Sequence, residues 1–162
     1  MALTYTPIAS QTLNSTSSLV TFSSIPSGYT DLRLIFYVQD SGEACYVRLN
    51  GDSGSNYSRT LIYGHSGGSA TTRNSSMSNW PTGGAPSGSW FDASILDIGN
   101  YSNTSNYKNA IFRQNSMYGS FVAKHVLLWS STSAISQIDI HATSSNSLKA
   151  GSMFSLYGIK AA

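Results

Sequence analysis

Serine, histidine and acidic side chains are the groups of this sequence that could support hydrolysis, and one short motif combines two of them. Residues 64–68 read Gly-His-Ser-Gly-Gly and fit the G-x-S-x-G pattern of a nucleophilic serine. The order of Ser66, an aspartate (Asp92 or Asp97) and a later histidine is that of α/β-hydrolases. Their nucleophile lies on a turn from a strand into a helix, and no helical periodicity follows Ser66. We therefore interpret the motif as a product of the high Gly and Ser content.

A second serine motif, Gly-Asp-Ser-Gly at residues 51–54, resembles the nucleophile motif of serine proteases. In the chymotrypsin arrangement the histidine and the aspartate precede the serine. Here the first histidine, His65, follows Ser53, so that order fails. Asn50 and Gly51 followed by small polar residues instead predict a hairpin turn.

The three histidines offer weak support for a metal site. They stand far apart, at positions 65, 125 and 141, with no HxH or HxxxH spacing and no cysteine partner. Asp139 and His141 fall on the same face of a predicted strand, but two ligands do not make a site. The sequence predicts neither a metal nor another cofactor.

The seven acidic residues lie mostly in predicted turns. Asp40, Glu43 and Asp52 occupy neighbouring turns, but Ca²⁺ takes six to eight oxygen ligands, so solvated turn residues are the better interpretation. A glycosidase needs two carboxyl groups on either side of a cleft, and no such pair is recognisable. We therefore predict that the protein is not an enzyme and name no catalytic residue.

The elements that would position these groups are strands. Residues 29–64 predict three of them, joined by turns at residues 40–43 and 50–55. In the first strand, every second side chain is apolar; these are Leu32, Leu34, Phe36 and Val38. A lone cysteine, Cys45, begins a similar alternation and is expected to be a small buried hydrophobe.

The remaining apolar stretches are also short and separated by polar turns. Nine or ten strands and no helix predict an all-β fold, an antiparallel β-sandwich of jelly-roll type, in one domain of residues 1–162. Residues 65–89 show no apolar periodicity and contain Pro81 and Pro86. They predict a long loop, which in a compact domain often has a function.

The composition of this 162-residue, 17.3 kDa chain predicts the chemical character of its surface. Only 10% of residues are charged and the formal net charge is +2, so a surface of hydroxyl and amide groups with little charge repulsion is expected. Such a surface suits an assembly or an extracellular protein. The cations form no basic run, so no nucleic-acid partner is expected. Neither a membrane span nor a signal peptide is recognisable, which predicts a protein that stays in the cytosol or leaves by lysis.

Candidate interaction residues come from the predicted loop, the strand before it and the amino terminus. Trp80 and Trp90 lie in or beside the loop and predict a contact surface, although Trp80 could instead fold back over the sandwich edge. Tyr63 and His65, with the two tryptophans, could stack on sugar rings. Leu3 and Tyr5 belong to a terminal segment that is free to pair outside the domain.

Four stretches together resemble small β-sandwich structural proteins of tailed bacteriophages. They are residues 22–32 (FSSIPSGYTDL), 49–58 (LNGDSGSNYS), 128–135 (LWSSTSAI) and 151–162 (GSMFSLYGIKAA). The pattern extends over nearly the whole chain, and residues 65–89 depart from it.

The resemblance implies a virion component without catalytic activity, assembled in the host cytoplasm and released by lysis. It implies a capsid decoration (cement) protein, commonly a homotrimer, that binds the major capsid protein or other virion proteins. The alternative is a tail-fibre or head-fibre module that binds host glycans.

Overall fold

The computed structural model describes residues 4–39, 45–82, 91–116, 120–143 and 147–160. These residues form twelve strands and no helix, which confirms the predicted all-β class. The strands are β1 Tyr5–Thr12, β2 Leu19–Phe22, β3 Asp31–Val38, β4 Cys45–Leu49, β5 Tyr57–His65, β6 Gly68–Met77, β7 Trp80–Pro81, β8 Asp92–Gly99, β9 Lys108–Ser116, β10 Phe121–Trp129, β11 Ile138–Ala142 and β12 Met153–Ile159.

Two antiparallel sheets of unequal size pack as a sandwich, as the sequence predicts. The larger sheet has eight strands in the order β1-β12-β3-β8-β9-β10-β5-β6, and the smaller has four in the order β2-β11-β4-β7. Across the described part of the chain, no helix is long and apolar enough to cross a membrane.

The structure confirms the apolar alternation predicted for β3. Leu32, Leu34, Phe36 and Val38 are buried, because successive side chains of a strand point to opposite faces. The turn after β4 also has the predicted chemistry: Asn50 and Gly51 have φ values of 52° and 69°, in the left-handed region that Asn and Gly tolerate best. Cys45 is buried, as expected of a small hydrophobe.

The core lies between the sheets, and aromatic rings fill much of it. Phe36 stacks on Phe112 and on Phe154, with ring centroids 5.7 and 6.3 Å apart. Tyr57 packs against Trp80 and Trp129 from the two sides of the sandwich. The inner face of the larger sheet is therefore occupied, and its outer face is the one left to solvent.

The prediction of a long loop at residues 65–89 is wrong for most of the residues in this range that the structure describes. A two-residue turn at residues 66–67 follows β5, and β6 then pairs with β5 from His65↔Gly68 to Tyr57↔Met77. β6 lacks an apolar period because it is the last strand of the sheet and almost every side chain along it is exposed. Residues 83–89 lie outside the described residues.

Candidate interaction surface

We call the side of the eight-stranded sheet that points away from the four-stranded sheet the outer face. In β3 it carries the side chains that alternate with the buried Leu32 to Val38 set, namely Asp31, Arg33, Ile35 and Tyr37. The pairing registers carry this alternation across every other strand of the sheet. The outer face can therefore be read row by row from the registers.

The outer face is unusually apolar for a surface in contact with water. Val122 and Ile62 are 62% and 60% exposed. Together with six further large exposed side chains they form what we call the apolar patch: Ile35, Tyr37, Ile62, Ile111, Val122, Val126, Leu128 and Met153. Single exposed hydrophobic residues are normal, but a contiguous group of this size marks an interaction site.

The registers place the apolar patch on five strands, in two groups on either side of β8. On one side, Ile62 of β5 lies opposite Lys124, between Val122 and Val126 of β10. Val126 lies opposite Ile111 of β9. On the other side, Tyr37 of β3 lies opposite Met153 of β12, and Ile35 of β3 opposite Ile95 of β8. The apolar side chains thus flank both sides of the sheet's midline between β8 and β9.

A small group of charges lies in the middle of this face. The Asp97 carboxylate accepts hydrogen bonds from Arg33 Nε at 2.5 Å and from an Arg113 Nη at 2.6 Å. Arg33 also donates to the Tyr5 hydroxyl at 2.8 Å. The hydrogen bond to Asp97 is the main cause that raises the pKa of Arg33. We call Arg33, Asp97 and Arg113 the central ion cluster; its one carboxylate pairs with both arginines, and Lys124 of β10 adds a further cation to this face.

A pocket of about 590 Å³ opens on the outer face beside the apolar patch. Ile62, Ile95 and Val122 form apolar walls, and the residues at its floor and rim include Gly64 and Ala93, whose small side chains leave the space. A Cβ atom added at Gly64 would reach Val122 Cγ1 at 3.9 Å, an ordinary contact distance, so the backbone there does not require glycine. Glycine at this position keeps the pocket open.

Tyr37 lies in the same row of the sheet as the pocket but on the other side of the midline. Its ring stacks on Phe91, with centroids 4.9 Å apart and planes within 7°, and it remains 41% exposed. This stacking holds the ring in one orientation. The outer face therefore carries the projecting Tyr37 ring and the apolar pocket in one row of the sheet.

Of the residues predicted from sequence as contacts, Tyr63 and His65 come together, and Tyr5 lies apart from them. Tyr5 lies on the outer face, where its ring also contacts the Arg33 guanidinium at 5.2 Å. Tyr63 and His65 stack on each other at 5.9 Å at the end of β5, on the opposite side of the sheet from Ile62 and Gly64. Tyr63 also contacts Phe121.

The prediction that Trp80 forms a contact surface is wrong. Trp80 is completely buried, its ring packs edge-on against Tyr57, and its Nε1 donates to the Leu128 carbonyl oxygen at 3.0 Å. It folds back between the sheets because its large apolar surface gains more from burial than from solvent contact. Leu3 and Trp90 lie outside the described residues.

The histidines do not form a metal site with the acidic residues. No group of three or more His, Cys, Asp or Glu side chains that could hold a metal ion exists among the described residues. His141 stacks on Tyr46 at 4.8 Å. His125 is buried against Phe112, and burial, aided by the nearby charge of Arg59, lowers the pKa of its imidazole to about 4. A neutral, enclosed imidazole is suited to packing.

The sequence analysis missed the apolar patch, although the strands contained a signal for it. In an antiparallel sheet with one solvated face, apolar residues should occupy only every second position of a strand, which is one parity of the residue numbers. In β3, Ile35 and Tyr37 occupy the other parity, and in β10 Val126 and Leu128 do the same. Apolar residues on both parities indicate a second covered face.

Comparison with known proteins assigns no family. No family model matches the sequence, and no curated protein matches it. Solved structures of alginate lyase Aly36B are similar in outline. A variant with alginate trisaccharide has 10% identity and a TM-score of 0.32 over 87% of this chain and 80% of that one. The lyase without substitutions has 9% identity and a TM-score of 0.34, over 93% and 79%. At these values the likeness transfers neither activity nor substrate.

The expected function requires correction at this point. The sequence resemblance implied a capsid decoration protein, or alternatively a fibre module for host glycans. The solved structures that the fold resembles are alginate lyases and not virion components. We therefore set aside both parts of that expectation and base the function on the outer face.

Proposed function

We propose that this protein is a non-catalytic assembly module that associates with a second copy of itself through the outer face of its eight-stranded sheet. The observation that carries the proposal is the apolar patch, eight large side chains that are between 37% and 62% exposed on one sheet face. Burying such a patch removes apolar surface from water and supplies the driving force for association.

The chemistry of the patch favours a protein partner. Seven of its eight side chains are aliphatic or thioether groups, and the eighth is Tyr37. The size also fits. Eight strands at about 4.8 Å spacing and about eight residues at about 3.3 Å rise give a face of roughly 1,000 Å². A stable protein interface buries about 800 Å² on each partner.

The outer face is complementary to itself. A two-fold axis parallel to the strands and between β8 and β9 exchanges the two halves of the face. Tyr37 lies on the second strand from this midline, and Val122 lies in the same row on the second strand of the other side. The rotation therefore brings Tyr37 of each copy over the pocket of the other. Two identical insertions follow, as an isologous interface requires.

The same rotation sets the charged side chains near the axis opposite apolar ones. Asp97 of β8 lies in the same row as Ile111 of β9, so it faces Ile111 of the other copy, one pair along the strand from Arg113. Arg33 faces Val126, and Lys124 faces Ile35. Each Asp97 carboxylate keeps the two arginines of its own chain as donors, so the central ion cluster enters the interface already paired.

Burial of the face would give two sheets packed face to face about 10 Å apart, the spacing of stacked sheets in sandwiches. The low charged fraction of the chain, 10%, limits electrostatic repulsion between copies. The homotrimer implied by the sequence resemblance stays an untested prediction; the self-complementarity of this face supports two-fold association.

Molar mass in solution tests the proposal. We expect Val122→Glu to lower the mass of the complex, because it would bury a charge opposite the Tyr37 ring of the other copy. Leu19→Glu is the matched control: Leu19 is also an exposed strand residue, 40% exposed, but lies on the four-stranded sheet. The control should keep the wild-type mass. Equal masses for the Val122 variant and the wild type would overturn the proposal.

A further inference from the structure

The four edges of the two sheets differ in how they are protected from pairing with other chains. β1, one edge of the larger sheet, contains Pro7 and a register shift between Pro7 and Ala9. The edges of the smaller sheet are short, four residues in β2 and two in β7, and β7 ends at Pro81. Proline, irregularity and short length are the usual ways in which proteins block edge pairing.

Among the described residues, β6, the remaining edge, has none of these protections along most of its length. It spans ten residues, contains no proline and has one charged side chain, Arg73. Its register with β5 is regular from His65↔Gly68 to Arg59↔Asn74, and the shift occurs only near the Tyr57 end. A long, regular, uncharged edge is a template for another strand.

We propose that β6 pairs antiparallel with β6 of a second copy, so that the eight-stranded sheet continues across a two-fold axis. Hydrogen-bonded and non-bonded pairs alternate from the two-residue turn at residues 66–67, so the amides of Ser69, Thr71 and Arg73 point to the open edge. A register centred on Thr71 pairs Arg73 with Ser69 of the other copy and opposes no like charges.

The side chains of β6 suit pairing with themselves. Ser69, Thr71 and Thr72 are small hydroxyl residues, and Thr–Thr and Thr–Ser pairs across strands contribute favourably to sheets. Threonine also has high strand propensity, so the edge is already extended before a partner binds. Pairing then costs little ordering of the chain.

This edge contact is separate from the outer face and compatible with it. The two-fold axis of an antiparallel edge pair is perpendicular to the sheet, so the outer faces of both copies stay on the same side. The face axis lies between β8 and β9 and the edge axis lies beyond β6, so the two axes do not intersect, and the two contacts together extend into an open chain of copies.

The molar masses of the wild type, the two single variants and the double variant distinguish the edge contact from the outer-face contact. We expect the wild type to exceed the mass of a dimer and to grow with concentration, Val122→Glu and Thr71→Pro to form dimers, and the double variant to be a monomer. Thr71→Pro removes an amide at the open edge, where proline is tolerated, and Thr71→Val is the control that keeps the amide and should keep the wild-type mass. If the edge contact is absent, the wild type is a dimer and Thr71→Pro leaves its mass unchanged. If only the outer-face contact is absent, Val122→Glu leaves the mass unchanged while Thr71→Pro halves it.

Hydrogen exchange of the wild-type chain tests the edge pairing directly, because this measurement does not depend on whether a variant folds. In the wild type, and in the Val122→Glu dimer, the amides of Ser69 and Arg73 should exchange slowly, as amides in a central strand do. Exchange of these amides at the rate of solvent-exposed backbone in the wild type would overturn the edge pairing.

Discussion

Trp80 Nε1 donates a hydrogen bond to the carbonyl oxygen of Leu128, 3.0 Å away, and so joins the short strand β7 of the smaller sheet to β10 of the larger one. The Leu128 side chain points to the opposite side of β10, into the apolar patch. The packing of the core and the shape of the outer face therefore meet in one strand.

Removing the Trp80 side chain should destabilise the fold strongly. Trp80 is completely buried, and truncation of a buried tryptophan to alanine typically costs about 3–5 kcal/mol. We expect Trp80→Ala to lower the free energy of unfolding in urea by that amount, and Trp80→Phe to lower it less, since the phenyl ring retains much of the packing. Wild-type stability in the alanine variant would contradict the buried position.

His125 should make stability depend on pH. Burial lowers the pKa of its imidazole to about 4 in the folded chain, whereas an unfolded histidine titrates near 6.5. The unfolded state therefore binds the proton more readily. The His125 contribution is fully present above pH about 6.5 and is lost as the pH falls toward about 4, by up to about 3 kcal/mol.

The measurement is urea unfolding across this pH range. His125→Phe replaces the imidazole with an apolar ring next to Phe112 and should flatten the dependence between pH about 6.5 and about 4. Leu19→Ala, an exposed substitution that involves no titratable group, should leave it as in the wild type. An unchanged slope in the His125 variant would mean that other groups cause it.

Asp52 should stabilise the turn between β4 and β5 as an ion. Its carboxylate accepts hydrogen bonds from Trp129 Nε1 at 2.6 Å, Asn56 Nδ2 at 2.9 Å and the Gly54 amide at 2.8 Å. Partial burial raises the pKa of Asp52, but these hydrogen bonds outweigh it and hold the pKa below its ordinary value. This contribution is present above the unfolded pKa and is lost as the pH falls through the folded one.

We expect Asp52→Ala to cost about 1–3 kcal/mol at neutral pH, because the Trp129 N–H loses its acceptor. Asp52→Asn keeps an acceptor oxygen and should cost less. Urea unfolding at neutral pH and at pH about 3 measures both, and the difference between wild type and the alanine variant should shrink at the lower pH. A difference that stays constant would show that the charge is irrelevant.

Tyr37 should be an energetic centre of self-association. Its ring is held by Phe91 and is available to fill the pocket of a second copy. Tyrosine in the centre of an interface commonly contributes more than 1 kcal/mol, so Tyr37→Ala should weaken association about tenfold or more. Tyr107→Ala is the control, because Tyr107 is 56% exposed but lies outside the eight-stranded sheet. Equal dissociation constants for the two variants would exclude the insertion of Tyr37.

The sequence predicts the inner half of the fold well because burial imposes a period. Leu32 to Val38 alternate as predicted, and Asn50-Gly51 forms the predicted turn, since both depend on local chemistry. The edge strand β6 carries no such period, because solvent lies on both of its faces. The burial of Trp80 depends on which strand pairs with β4, a non-local contact that local patterns do not contain.

The candidate surface was less predictable for a similar reason. Tyr5, a contact residue predicted from the sequence, lies on the outer face. Val122 and Ile62 also lie there, but the sequence analysis predicts no contact for them. Whether an apolar residue at the other parity, such as Ile35, has neighbours that extend it into a patch depends on strand order. The order β3-β8-β9-β10-β5 brings distant segments together, and no single segment contains that information.

Sedimentation equilibrium of the wild-type chain over a concentration series tests the central claim most directly. If the outer face is a self-association surface, the mass at high concentration is at least twice the 17.3 kDa of one chain and falls on dilution. A mass of 17.3 kDa at every concentration would contradict the claim.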